Sequence, residues 1–304
     1  MKILITGASG FFGRSLINAL QLESGDFEVF CPFRSNTFDM EDSRFQWVPC
    51  DLLNSEDIKT LISDLKPTHL VHLAWYVHPQ KFWNAKENFD WLDASIQLFQ
   101  AFCEHKGQVF IGAGTLAEYD WTNGVLDEFN TALAPNTIYG QCKKSLHELL
   151  LSFRNTYSPD TKIIWPRIGY FFGDYEPKEK LISKIIDHIK RDLPLNLASP
   201  DLKRPYAHVK YFGQCITQLL MFDKKQDLTF NMSVSTLHTL NEMVECVRSQ
   251  LCGTSSKIYY DTYKAEPIIL SVKDNILREQ VGFTIPDTFF EDLEKLVGAK
   301  NGKF

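Results

Sequence analysis

In the stretch TIYGQCKKSLHELL, Tyr139 and Lys143 stand four residues apart where the pattern predicts a helix. Side chains at that spacing share one helix face, so an ammonium would lie beside a phenol. A phenol titrates near pH ~10 when unperturbed, and a neighbouring cation moves it toward neutrality, where it can give or take a proton. Any amphipathic helix can carry such a pair. Its weight therefore depends on what the rest of the chain builds around it.

The amino-terminal stretch ITGASGFFGRSL supplies one such feature: Gly7, Gly10 and Gly13 lie between a short apolar run and the start of an amphipathic helix. A glycine turn there lets backbone N–H groups approach a diphosphate, and the helix dipole favours the negative charge. The spacing differs by one residue from the commonest Gly-x-Gly-x-x-Gly fingerprint. Phe11, Phe12 and Arg14 belong to the same expected cofactor site. The next apolar run ends in CPFRSN, with Arg34 where an acid would select a ribose 2′-hydroxyl. An arginine there suits a 2′-phosphate, so the expected cofactor is NADP, with NAD as the other option. The competing reading for each is a solvated surface arginine, and Arg34 is the better candidate of the two, with Arg14 a second cation.

Strands and helices must alternate to hold these residues. KILI, FEVFCPF, FQWVP, THLVHLA, QVFIGAG and TKIIW read as strands, and THLVHLA is apolar enough to be covered on both faces. Helices are expected after the glycines, at NSEDIKTLISDLK with Asn54 as its cap, from Phe82 to Cys103, and from Ile138 to Arg154. Parallel neighbours need right-handed crossovers, so the fold class is α/β: a Rossmann-type doubly wound parallel sheet with a smaller C-terminal α/β lobe. Residues 1–172 would form the dinucleotide-binding domain and 173–304 mainly the substrate-binding lobe, with strand or helix exchange between them. The lobe carries expected helices at Leu181–Asp192, Tyr211–Asp223 and Thr239–Gln250. Trp75, Tyr76 and His78 follow the fourth strand at its carboxyl edge, where open α/β sheets bind ligands.

Composition narrows the partners. The 304 residues carry a formal net charge of −6 with no basic run, which argues against nucleic acid or an anionic membrane. No apolar run is long enough to span a bilayer or serve as an export signal, so a cytoplasmic protein is expected. The seven cysteines show no Cys-x-x-Cys pair and no zinc spacing, so they read as reduced, mostly buried thiols and no metal site is expected. Cys142 draws attention only because it adjoins Lys143.

Over nearly its whole length the chain resembles the extended short-chain dehydrogenase/reductase family, in its NAD-dependent epimerase/dehydratase group and nucleotide-sugar-modifying branch. The resemblance rests on the glycine turn, Asp51-Leu52 after the third strand, His72-Leu73-Ala74, Asn88, the Tyr139/Lys143 pair, WPRIGYFFG and KRPYAHV. It implies a catalytic set of Thr115, Tyr139 and Lys143. Thr115 would hydrogen-bond the substrate oxygen, Tyr139 would exchange its proton, and Lys143 would hold the ribose. It also implies cofactor contacts from Asp51, Leu52, Leu73, Ala74, Trp75, Asn88, Pro166 and Ile168. Trp75, His78, Thr115, Glu118, Arg167 and Arg204 would meet a nucleotide sugar, with Arg204 at its diphosphate. A homodimer through two long helices per subunit is implied as well.

Departures from the family pattern bear on the reaction. Dehydratases of the group follow their threonine with Asp-Glu, whereas Thr115 is followed by Leu116-Ala117, with Glu118 one position late. The NAD-dependent 4-epimerases usually carry an acid where Arg34 stands. Arg204-Pro205-Tyr206 and Val209-Lys210-Tyr211 replace the more usual Arg-Asp-Phe and Val-x-Asp. The leading expectation is an NADPH-dependent reductase of a nucleotide-linked 4-keto-6-deoxy sugar. An NAD-dependent nucleotide-sugar 4-epimerase and a non-catalytic NAD(P)-binding protein remain as alternatives.

Overall fold

The computed structural model describes residues 1–79, 81–221, 226–251, 255–261 and 267–301. The chain divides into two compact units that exchange segments. One comprises Met1–Tyr119, Leu133–Ile168 and Phe212–Phe230, the other Asp120–Ala132, Gly169–Tyr211 and Asn231–Phe304.

The first unit is built on a central sheet. Its strands are β1 (Lys2–Thr6), β2 (Glu28–Phe33), β3 (Phe45–Pro49), β4 (His69–His72), β5 (Val109–Gly112) and β6 (Gly114–Thr115), with Lys162–Ile168 and Leu228–Met232 completing it. Across the sheet the order is Leu228–Met232, Lys162–Ile168, β5, β4, β1, β2, β3. β1 pairs in parallel with both β2 and β4, so the order reverses at β1 and the crevice beyond its end is the topological switch point. This is the Rossmann arrangement. The strand after β6 was expected to end at Trp165; it continues to Ile168 because β6 runs beside it, Thr115 opposite Ile168.

Four helices cross over the sheet: α1 (Phe11–Gln21), α2 (Ser55–Leu65), α3 (Glu87–Glu104) and α4 (Ile138–Tyr157). At the start of α2 the Asn54 side chain accepts from the Glu56 amide, and Lys66 closes the helix in the left-handed conformation. α3 begins five residues later than its apolar pattern suggests, because Phe82–Asn84 winds into a tight 3₁₀ turn. The cause is side-chain hydrogen bonding. Asn88 donates to the carbonyls of Phe82 and Ala85, and Asn84 accepts from the amide of Ile138. Leu4, Leu70, Phe99, Phe102, Phe110 and Ile163 fill the core beneath α2, α3 and α4. Each large apolar side chain so buried contributes about 1.5–3 kcal/mol.

The second unit has its own core of Phe172, Ile185, Ile186, Val244 and Leu293. Its helices include Leu181–Lys190, Leu240–Gln250 and Phe289–Asn301, and strand Tyr170–Phe172 pairs in parallel with Tyr206–His208. Thr239 and Glu242 form a capping box at the start of Leu240–Gln250. The helix expected in this lobe at Tyr211–Asp223 runs Lys210–Met221, and from Phe212 onward it belongs to the first unit; Phe222 and Asp223 lie outside the described residues. Among the described residues no helix is long and apolar enough to cross a membrane, and no cluster of His, Cys, Asp and Glu could hold a metal ion. Cys31, Cys50, Cys103, Cys142 and Cys215 are buried free thiols, Cys246 is half-buried, and Cys252 lies outside the described residues.

Candidate active site

The three glycines of the first turn do different work. Gly7 adopts φ +71°, and a Cβ on it would lie 2.8 Å from the backbone nitrogen of Ala74, so the turn must approach the end of β4 without a side chain. A Cβ on Gly13 would lie 2.3 Å from the Gly7 carbonyl, so α1 packs directly on the turn. At Gly10 the nearest protein atom would be the Gly7 oxygen at 3.2 Å. Packing explains Gly7 and Gly13, whereas the bare backbone at Gly10 opens onto the amino end of α1, whose cap has no side-chain hydrogen bond. That geometry fits a dinucleotide diphosphate, which needs close backbone approach at the positive end of a helix. Phe12 packs at a tilt on Phe212 with centroids 4.7 Å apart, and Phe11 on Phe12 at 5.0 Å.

Behind the turn runs a buried chain of hydrogen bonds. Thr6 Oγ1 accepts from the amides of Leu73 and Ala74 and bonds His72 Nδ1 at 2.8 Å, and His72 Nε2 meets Ser95 Oγ at 2.8 Å. Burial drives the His72 imidazole down to about 3, so it is neutral. The amides of the sequence-predicted Leu73 and Ala74 thus serve first to hold β1 to β4.

Thr115, Tyr139 and Lys143 come together in the first unit. Thr115 ends β6 and caps the 3₁₀ turn Leu116–Glu118, its hydroxyl accepting from the Ala117 amide. Tyr139 lies in the first turn of α4, which Thr137 caps through the Gly140 amide. A Cβ on Gly140 would lie 2.2 Å from the Ala117 carbonyl. The glycine therefore lets the helix sit against the Thr115 turn, and the Tyr139 phenol reaches Thr115 in a side-chain hydrogen bond. The edges of Phe82 and Trp83 wall the tyrosine ring, with centroids 5.0 and 5.9 Å away. Lys143, 2% exposed, places Nζ 3.8 Å from the centroid of the Trp75 ring.

The electrostatics correct one sequence expectation. Lys143 does not draw the Tyr139 phenol toward neutrality. Burial pushes the phenol up to about 12, helped by the Glu118 charge and opposed by the Thr115 hydrogen bond. Burial also pulls the Lys143 ammonium down to about 7, against the pull of Glu118 and Cys142. Loss of solvent outweighs the charge–charge effects for both groups. The Cys142 thiol is raised by burial despite the adjacent lysine, so it is no activated nucleophile.

Glu118 and Arg167 were expected as separate substrate contacts; the structure joins them in one buried ion pair. Glu118 Oε2 accepts from Arg167 Nε at 2.9 Å, while Oε1 accepts from the Thr115 amide at 2.9 Å and the Trp165 indole at 3.0 Å. Arg167 also donates to the Tyr119 hydroxyl, and Trp165 stacks on His147 with centroids 4.7 Å apart. Pro166 is buried and Ile168 half-buried on the same strand.

The remaining residues scatter. Asn88 is fully buried and its side chain is committed to Trp75, Phe82 and Ala85. Trp75, 8% exposed, is packed in the core rather than displayed. His78 is exposed, stacked on Tyr76, with Nδ1 at the Pro79 carbonyl. Arg34 is exposed at the tip of β2, 3.9 Å from Asp51, whose Oδ1 accepts from the Leu53 amide; Leu52 is buried. Arg14 donates Nε to the Ser9 carbonyl and lies over Phe38. Arg204 belongs to the second unit, where its Nη1 donates to the carbonyls of Lys203, Pro267 and Ile268. Sequence reasoning missed Gly140 and the Phe82–Trp83 pair. The available signals were the glycine directly after Tyr139 and the aromatic doublet in KFWN.

A Rossmann unit that brings a glycine turn, a Tyr/Lys helix face and a threonine together defines a nucleotide-cofactor protein. The chain belongs to the NAD dependent epimerase/dehydratase family, whose model matches residues 3–232. It is 26% identical over 254 residues to dTDP-6-deoxy-L-talose 4-dehydrogenase (NAD(+)) of Aggregatibacter actinomycetemcomitans, covering 81% of this chain and 88% of that one. It is 23% identical over 289 residues to dTDP-4-dehydro-6-deoxyglucose reductase of Escherichia coli, covering 89% of each. Among solved structures, UDP-glucose 4-epimerase of Thermotoga maritima with UDP-glucose superposes with a TM-score of 0.85 over 99% of each chain at 17% identity.

Proposed function

We propose that the protein is an NADPH-dependent reductase acting on the keto group of a nucleotide-linked 4-keto-6-deoxy sugar. The observation that carries this reading is the convergence of Thr115, Tyr139 and Lys143 in the unit that also holds the glycine turn. The curated relatives support the substrate class, two of them being named for oxidation or reduction at C4 of a dTDP-deoxysugar. The diphosphate of the cofactor would lie at Gly10 and the amino end of α1, and the Lys143 ammonium would hold its ribose.

When bound, the nicotinamide supplies a hydride to the carbonyl carbon. As that C–H bond forms, Tyr139 passes its phenolic proton to the carbonyl oxygen, and the ketone becomes an alcohol. Burial keeps the phenol protonated well above neutral pH, which suits proton donation. In the free protein the Thr115 hydroxyl accepts from the Ala117 amide and hydrogen-bonds the Tyr139 phenol; a substrate carbonyl seated between the two would take the Thr115 hydrogen in place of the phenol as charge develops. The preference for NADP rests on Arg34, exposed at the β2 tip with only a loose contact to Asp51.

The test is a panel of nucleotide 4-keto-6-deoxy sugars offered with NADPH or NADH, followed at the nicotinamide absorbance and by NMR of the product. Turnover with a net consumption of NADPH is expected. Silence across the panel, with conversion of an intact UDP-sugar and stoichiometric NAD on the purified protein, would replace this reading by a 4-epimerase. A homodimer through α3 and α4 is part of the proposal; Phe89 and Leu149 are exposed on these helices, and light scattering gives the mass.

A further inference from the structure

We propose that Trp75 is the positioning residue for Lys143, its ring face seating the ammonium and Asn88 locking the ring in place. The inference rests on the role given to Lys143 above.

The seat is built from three buried side chains. Lys143 Nζ stands 3.8 Å from the Trp75 ring centroid, and among the described residues no hydrogen bond or ion pair reaches it. An ammonium removed from water and left without an acceptor is costly, and the negative face of an indole is the strongest aromatic offset. The indole itself cannot rotate freely. Its N–H donates to Asn88 Oδ1 at 2.8 Å, and the other end of that amide donates to the carbonyls of Phe82 and Ala85 at 2.7 and 2.8 Å. An indole only donates and a backbone carbonyl only accepts, so the amide has one satisfactory orientation. Trp91 and Tyr139 flank the ring with centroids 6.5 Å away. The same 3₁₀ turn that walls Tyr139 is thus pinned by the residue that pins the seat of Lys143.

Four other titratable groups bear on this ammonium. Tyr139, on its own helix, remains a neutral phenol; Cys142 is its chain neighbour. Glu118 faces it from the 3₁₀ turn and favours the charged form, and His72 on β4 is neutral. Since Glu118 is already engaged by Arg167, Trp165 and the Thr115 amide, the contact left to the ammonium is the ring. A cation held on a ring is favoured in its charged form. Removing the ring should lower the pH at which Lys143 loses its proton.

Lys143 can be titrated directly in protein carrying ¹³C at lysine Cε, its resonance assigned with Lys143→Arg. Relative to wild type, Trp75→Met should move the titration down by about one pH unit, while Trp75→Phe, which keeps a ring, should recover most of the shift. The alkaline limb of kcat for sugar reduction should move in the same order, because activity is lost as the ammonium deprotonates. A Trp75→Met protein that titrates like wild type overturns the proposal. If Trp75→Met does not fold, Asn88→Ser carries the test: freeing the indole should move the titration in the same direction, and no movement overturns the proposal. A shifted lysine titration in a protein that reduces none of the sugars upholds the seat and rejects the reductase reading, so the two failures are distinct.

Discussion

Arg167 meets Glu118 at 2.9 Å with 6% and 0% of the two side chains exposed, whereas Arg34 approaches Asp51 only to 3.9 Å with 65% and 39% exposed. Both are arginine–carboxylate pairs, and both arginines are expected ligand contacts on the sequence alone. Their surroundings separate them. The buried carboxylate has its oxygens committed to the Thr115 amide, the Trp165 indole and the arginine, so the pair shapes the Thr115 turn. The outer pair is solvated and worth at most about 1 kcal/mol, so a ligand phosphate can recruit Arg34 at little cost to folding. A charged residue near a site is thus a binding candidate only when its charge is not already spent on the protein.

The strongest way to break this contrast is to remove the inner cation. Arg167→Met should destabilise the protein by about 3–5 kcal/mol, because it strands the Glu118 charge out of water. Denaturant unfolding measures this, and a loss below about 1 kcal/mol would mean that the inner pair behaves like the outer one. Tyr139→Phe asks whether the turn shaped by that pair serves chemistry: turnover should fall roughly a hundredfold or more, the range for losing a proton donor. Unchanged turnover would remove Tyr139 from the proposed mechanism.

Acid should separate the two regions more gently. His147 stacks on Trp165 beside the inner pair and, like His72, is held neutral, both driven down to about 3 by burial. In the unfolded chain these imidazoles regain a pKa near ~6.5 and take up protons first as pH falls, so the stability is whole above that value and lost below it. The expected loss is about 1 kcal/mol per pH unit for each of the two between pH 7 and 5, approaching about 1.4 kcal/mol per unit at the lower end, read from unfolding curves. His69, driven down to about 4, and His208, also lowered by burial, add to the same slope, so His147→Phe should flatten it by roughly a quarter. The smallest effect belongs to the outer pair. Arg34→Ala should weaken NADPH by about tenfold more than NADH, the value of about 1.4 kcal/mol, while leaving the unfolding midpoint nearly unchanged. Equal losses for the two cofactors would undo the NADP preference.

Much of this architecture is legible in the chain. The glycine spacing, the apolar strands and the four-residue step from Tyr139 to Lys143 are local patterns, and local patterns follow from the periods of strand and helix. Asn54 shows itself as a cap for the same reason. The start of α3 is not legible, because Phe82–Asn84 is wound up by Asn88 and by a bond from Asn84 to Ile138, 54 residues on. The Glu118–Arg167 pair is equally hidden, since β6 and Lys162–Ile168 must lie side by side before the two residues meet. Gly140 reveals its purpose only when the Ala117 carbonyl arrives 2.2 Å from where its Cβ would be.

The sequence by itself determined which residue types face which way along each element: a phenol and an ammonium on one face of α4, and bare backbone at the mouth of α1. Only the tertiary structure decided what those groups are chemically. It turned the ammonium onto Trp75 and kept the phenol protonated. It also spent Glu118 on Arg167 and left Arg34 in water. The physical reason is that orientation is set by nearest neighbours in the chain, whereas charge state is set by how much solvent every packed element, however distant in sequence, takes away.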